Sequence, residues 1–200
     1  VERGLTHSSV DLLCKKTGIS KTFFYTLYAS KEDLVLQALR CQQPRLLRHA
    51  QLLMSDPALT WREGAEQFLR DCCYGMKNSV AVLSIEEEQE VYRCLTPENF
   101  QIFRRDQLVF FSRVLDILGI PAGRVDPRLF GNLAVAMMMV YKAIPGSMPF
   151  LFPEVADDMV EFQIKALVDE MERVREADRE GGAPAGGCQD ICSGYDFSAR

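Results

Sequence analysis

Apolar side chains recur at helical spacing along most of this chain, while the strict alternation of a half-buried strand is nearly absent. Val160, Ile164, Leu167, Val168, Met171 and Val174 make one apolar stripe on a helix predicted from about Pro153 to Ala177. The preceding helix, from Pro127, differs: Leu133 to Tyr141 is apolar on every side. A surface helix needs only a stripe, and all-round apolarity implies burial by more than its own domain. The last two long helices are therefore expected to pair two copies into a homodimer. The competing reading is a central core helix in a monomer.

Boundary residues divide the rest into short and long helices. Ser9 precedes a short helix that ends before Gly18, and Ser20 caps a second running to about Tyr28. Ser30 opens a longer helix with Asp33 as capping-box partner. Pro44 is expected to kink or interrupt that helix, because it removes a donor and clashes with the preceding turn. Thr60 and Glu63 form a capping box for a helix to about Met76, and Ser84 starts an acidic helix ending near Leu95. Thr96-Pro97-Glu98 and Asp126-Pro127 start two more, the first stopping at Gly119 and the second before Pro145-Gly146. From Gly181 the chain is polar and glycine-rich, an expected disordered tail. The pattern predicts an all-α fold: a helix-turn-helix head over residues 1–42, a larger helical body with the dimerisation helices over 43–178, and a tail over 179–200.

The two short helices joined by Gly18-Ile19-Ser20 carry the functional information. Val10, Leu13, Cys14 and Thr17 share the expected inward face of the first; Phe24, Leu27 and Tyr28 share that of the second. Turning 100° per residue puts Thr22 and Thr26 at the centre of the opposite face, flanked by Phe23 and Tyr25, with Lys21 at the N-terminal edge. A helix this short is not stable alone, and a major groove admits one held outward. Phe23 and Tyr25 could instead be core aromatics, Lys31 merely a first-turn residue, and Lys15 and Lys16 a solvated face.

Charge adds a little. The net charge of −5 excludes a protein coated in basic contacts, yet residues 1–42 carry +2 and the remainder −7. A slightly basic head on an acidic body suits a small DNA-reading module. Seven cysteines, an odd number scattered over helical patterns, do not form a disulfide framework and point to a reducing cytoplasm. Cys188 and Cys192 lack a nearby histidine pair and read as no zinc site. There is no membrane-spanning apolar run, and the start Val-Glu-Arg-Gly is not a signal peptide. With His7 and His49 the only histidines, no glycine-rich phosphate loop and no His-Glu-x-x-His, neither catalysis, metal nor cofactor is expected. The acidic run Glu86-Glu87-Glu88 with Glu90 reads as a solvated face.

The stretch Gly4 to Leu34 resembles the DNA-binding signature of the TetR family of transcription regulators. The likeness lies in Leu13-Cys14, Thr17-Gly18-Ile19-Ser20, Tyr25, Tyr28 and Ser30-Lys31-Glu32-Asp33-Leu34. The resemblance implies that Ser20, Tyr25 and Lys31 meet backbone phosphates, that Lys21, Thr22, Phe23 and Thr26 form the base-reading face, and that Ser9 and Val10 bring a positive helix end toward the duplex. It also implies a first helix before Gly4, of which only Val1-Glu2-Arg3 remain, so the head is expected to be truncated. The implied function is a ligand-responsive repressor, a homodimer on a palindromic double-stranded operator. A dimeric helical interaction module that has lost DNA binding is the alternative. The resemblance also makes the body, residues 43–178, effector-binding, and a small hydrophobic effector would enter it. The inward positions expected to line its pocket are Phe68, Cys72, Met76, Phe103, Gln107, Phe111, Met138 and Tyr141, with Met137-Met138-Met139 as an adaptable wall.

Overall fold

A computed structural model describes the backbone of residues 9–74, 89, 91–93, 95–143 and 151–180 and, positions 39, 141–143 and 153 apart, their side chains. The described residues form helices and connections, with no strand among them. The helices are α1 (Val10–Thr17), α2 (Lys21–Leu27), α3 (Lys31–Ser55), α4 (Trp61–Tyr74), α5 (Pro97–Ile117), α6 (Pro127–Ala143) and α7 (Ala156–Arg179), the last entered through a 3-10 turn over Pro153–Val155. Residues 89 and 91–93 are also helical and Leu95 is described; the other positions of the predicted helix from Ser84, Met76 and the tail after Glu180 lie outside the described residues.

The predicted caps are made. Ser9 Oγ accepts from Leu12 N–H at 3.2 Å, Ser20 Oγ from Phe23 N–H at 3.1 Å and Thr96 Oγ1 from Asn99 N–H at 3.2 Å. Each satisfies a donor that the helix cannot, and is worth about 1 kcal/mol. Thr60 and Glu63 form the full reciprocal box, at 2.8 Å and 3.2 Å. At α3 the box is altered. Ser30 Oγ takes the Asp33 N–H at 3.1 Å, but Asp33 answers to Ala29 N–H at 2.9 Å, one residue earlier than the motif requires.

Pro44, expected to kink or interrupt α3, does not interrupt it: the helix runs unbroken from Lys31 to Ser55. Its ring lies on the solvent side, while Leu36 before it and Ala50 after it are buried in two separate clusters. Packing at both ends holds the backbone helical across the missing donor, offsetting a penalty of roughly 3 kcal/mol.

The main core joins the second half of α3 to α4, α5, α6 and α7. Val160, Ile164, Val168 and Met171 of α7 are all buried in it, with Leu167 and Val174 at its margin. Thus the stripe seen in the sequence is the inward face. Arg62 binds Glu66, Asp169 and Glu172, while Arg70 binds Glu66 and Glu161, so two guanidinium groups lace α4 to α7. Trp61 Nε1 donates to Leu118 O at 2.8 Å, and Arg175 covers its ring at 4.2 Å. A smaller cluster of Leu36, Val91 and Phe103 ties the first half of α3 to α5. Beside it Arg40 Nε lies 2.9 Å from Asp106 Oδ2, an ion pair whose N–H is not aimed at the carboxylate.

Its own chain covers α6 only in part. Phe130 and Met137 are buried, but Leu129, Leu133 and Ala136 stand exposed, Leu133 by 44%. On α7, Phe162 is 72% exposed, and Leu151, Phe152 and Val155 before it are exposed as well.

Candidate nucleic-acid interface and ligand cavity

The head is built around a tight turn. Gly18 adopts φ +73°, a left-handed conformation that costs a residue with a Cβ far more than glycine. In this geometry the Ile19 N–H reaches back to Cys14 O at 3.2 Å and closes α1. The chain then reverses into α2, seven residues long, pinned by one fully buried side chain, Phe24. The Phe24 ring meets Tyr25 edge-on with centroids 5.3 Å apart and Tyr28 at the same distance.

With Phe24 inward, the rest of α2 turns outward. Lys21, Thr22, Phe23, Tyr25 and Thr26 are all exposed, Phe23 by 52% and Tyr25 by 56%. Neither aromatic is a core residue, which removes that alternative. Thr26 Oγ1 donates to Phe23 O at 2.6 Å, so its hydroxyl proton is committed to the helix. Lys21 Nζ pairs with Asp11 across the turn, both groups remaining mostly exposed. Lys31 is largely covered, with Nζ 4.0 Å from Glu32. Ser9 and Ser20 use their hydroxyls as caps of α1 and α2. Lys15 and Lys16 are exposed at the end of α1.

Two inward assignments in the head are overturned. Leu27 is 50% exposed and Thr17 is exposed, its Oγ1 donating to Leu13 O at 2.8 Å. Helices of seven and eight residues have a buried face only one or two side chains wide, and Cys14 and Phe24 fill it.

The body holds a cavity of about 580 Å³ between α3, α5 and α6. Phe103, Gln107 and Phe111 line it, as the sequence predicted. Phe68 and Cys72 do not. Both belong to the main core between α4 and its neighbours, where burial pushes the Cys72 thiol up to about 12. Met138 also packs against that core, and none of Met137, Met138 and Met139 lines the cavity. The side chain of Tyr141 lies outside the described residues. The wall on α6 is instead Pro127, Arg128, Gly131, Asn132 and Val135, one face of the helix. Gln42, Gln43 and Leu46 of α3 close another side, with Tyr92, Phe100, Arg104 and Phe110 completing it. Sequence reasoning missed these because polar residues on α3 and α6 look like solvated positions until the crossing of three helices is known.

Arg128 is tied down at the cavity edge. Its Nε lies 3.0 Å from both Asp126 oxygens, its Nη2 2.6 Å from Oδ2, and its backbone N–H caps onto Oδ1 at 2.8 Å. The Arg128 side chain thereby holds the Asp126 carboxyl below the ordinary aspartate range, with the backbone bond adding to it. Among the described residues no group of His, Cys, Asp and Glu is placed to hold a metal ion, and no helix is long and apolar enough to cross a membrane. Comparison with known protein families, with curated proteins and with solved structures finds no match to this chain.

Proposed function

We propose that this chain is a ligand-responsive transcription regulator of the TetR type, binding double-stranded DNA as a homodimer and acting as a repressor. The observation that carries the reading is the outward face of α2. A seven-residue helix with one buried anchor leaves Thr22, Phe23, Tyr25 and Thr26 in solvent, with both aromatics more than half exposed. A major groove accepts a helix of this size, and threonine methyl and phenyl groups suit the thymine methyl. Thr26, its proton turned inward, presents its methyl. Lys21 would exchange Asp11 for guanine, and Ser9, Ser20, Tyr25 and Lys31 would meet phosphates.

The dimer is proposed through α6 and α7, whose exposed Leu129, Leu133 and Phe162 support it. Two heads held by such an interface would read half-sites about one helical turn apart, roughly 34 Å. A ligand in the body that prefers another spacing would weaken operator binding by its differential affinity, typically about 1–3 kcal/mol. Occluding a promoter requires no further contact, which favours repression.

Two substitutions test the head. Lys31→Ala should weaken binding at all sequences alike and reduce the slope of log affinity against log salt by roughly one. Thr22→Ala should instead change which sequences are preferred. If gel-shift titrations leave both properties unmoved, α2 is not the groove-reading element.

A further inference from the structure

Phe100, Phe103, Gln107, Phe110 and Phe111 line the cavity from α5. Turning 100° per residue brings the five onto one arc of about 100°, so four rings and one carboxamide share a face of that helix. Gln107 is the midpoint: Phe103 lies one turn before it and Phe111 one turn after, about 12 Å apart along the axis. The rings form two groups. Before Gln107, Tyr92 meets Phe100 edge-on at 6.3 Å and Phe103 at 5.8 Å, and Tyr92 and Phe100 are exposed at the mouth. After Gln107, Phe110 and Phe111 pack edge-to-face at 5.2 Å.

Gln42 supplies a second carboxamide from α3. The two helices run in the same sense here, with Leu36 in one cluster with Phe103 and Arg40 paired with Asp106, which sets Gln42 roughly level with Gln107. Neither side chain hydrogen-bonds to a described residue, and the amide atoms of both stay accessible, whereas Gln43 Nε2 is enclosed. Arg104 and Arg128 are exposed and belong to the rim. A guest lying along α5 therefore meets rings, then amides, then rings. A pure hydrocarbon there would strip water from two carboxamides and give nothing back. A chain with a polar end would set that end against rings. At about 580 Å³ the space is in the range of pockets that hold metabolite-sized molecules.

We infer that the cavity takes a molecule with two aryl groups joined through, or fused around, a central amide or ketone that hydrogen-bonds to Gln107 and Gln42. This rests on the reading of the body as the ligand-sensing part. One aryl group lies along Tyr92, Phe100 and Phe103 and the other along Phe110 and Phe111, each adding a ring to a group already packed edge-on or tilted, which gains more than the area it buries. The central carbonyl accepts from one carboxamide N–H, and an amide N–H of the guest donates to the oxygen of the other.

Calorimetric titration of the full chain into benzanilide, bibenzyl and N-hexylhexanamide separates the two features. The first has two rings and a central amide, the second the rings without the amide, the third the amide without the rings. Benzanilide should bind roughly tenfold or more tightly than either. Gln107→Leu should weaken benzanilide by roughly tenfold and leave bibenzyl as tight or tighter. Phe100→Leu, at an exposed position, should weaken benzanilide by roughly threefold and leave N-hexylhexanamide unchanged. No binding of benzanilide, equal binding of benzanilide and either comparison compound, or a benzanilide affinity indifferent to Gln107→Leu in a variant with the parent's thermal melt would overturn the assignment. Operator binding measured without ligand stands apart: its failure sinks the regulator reading and leaves this inference, while failure of benzanilide with operator binding intact sinks this inference alone.

Discussion

Replacing Gly131 with alanine probes the close approach of α5 and α6 that shapes the cavity. The new Cβ would lie 2.5 Å from Phe111 Cδ2, 2.6 Å from Cε2 and 3.0 Å from Cγ, so the ring must move by about 1 Å to reach ordinary contact. Phe111 is held edge-on by Phe110 at 5.2 Å and by Phe130 at 6.1 Å, and its remaining free side is the cavity. Overpacking of this kind costs about 1–3 kcal/mol. Removing glycine from a helix interior returns about 0.5–1 kcal/mol, which leaves a net loss of up to about 2.5 kcal/mol, with about 1–2 kcal/mol expected because three atoms of a packed ring are met. For a domain of this size that lowers Tm by about 2–8 °C. Urea titration followed by far-UV circular dichroism, with a thermal melt alongside, reads both quantities. Adding Phe111→Leu should relieve the clash, so that the double variant loses less than the two single losses added together, by about 1 kcal/mol or more. A Gly131→Ala variant as stable as the parent would refute the reasoning, since glycine would then not be required for the α5–α6 contact.

Two further outcomes follow from local geometry. Gly18→Ala meets no atom within 4 Å, so its whole cost is the positive φ, about 1–2 kcal/mol, and amides of α1 and α2 should exchange with solvent roughly tenfold faster. Unchanged protection would show that the turn between them is not left-handed. The Asp126 carboxyl titrates below its unfolded value because Arg128 bonds to it. Its contribution to stability is therefore present above the unfolded pKa and is lost as pH falls through the folded one, so the acid limb of stability, below about pH 4, should be shallower in Arg128→Ala. An identical acid limb in parent and variant would remove that pair from the account.

Local chemistry made the fold legible, and tertiary crossing hid the cavity. Ser9, Ser20, Thr60 with Glu63, and Thr96 cap where their side-chain chemistry says they must, because a cap is decided within four residues. The α7 stripe was readable because 24 residues repeat the period many times. Leu27 and Thr17 were misplaced because a single turn or two of helix leaves the width of its buried face undefined. The interruption expected at Pro44 does not occur because its penalty is local while the packing of Leu36 and Ala50 that overrides it is not. Phe68 and Gln43 show the same limit from opposite sides. An apolar residue at an inward position was placed in the cavity and lies in the core, while Gln43, an amide beside a proline that was never considered, lines the cavity. The outward face of α2 was the part of the candidate site best read in advance, since Phe24 alone sets which way the other residues turn.

Selection of binding sites from random duplex DNA with the full-length chain addresses α2 most directly. Enrichment of a two-fold symmetric sequence with half-sites one helical turn apart is expected, and a different enriched sequence when Thr22 or Lys21 is replaced by alanine. Recovery of no common sequence, or of the same one from the parent and both variants, would contradict α2 as the groove-reading element.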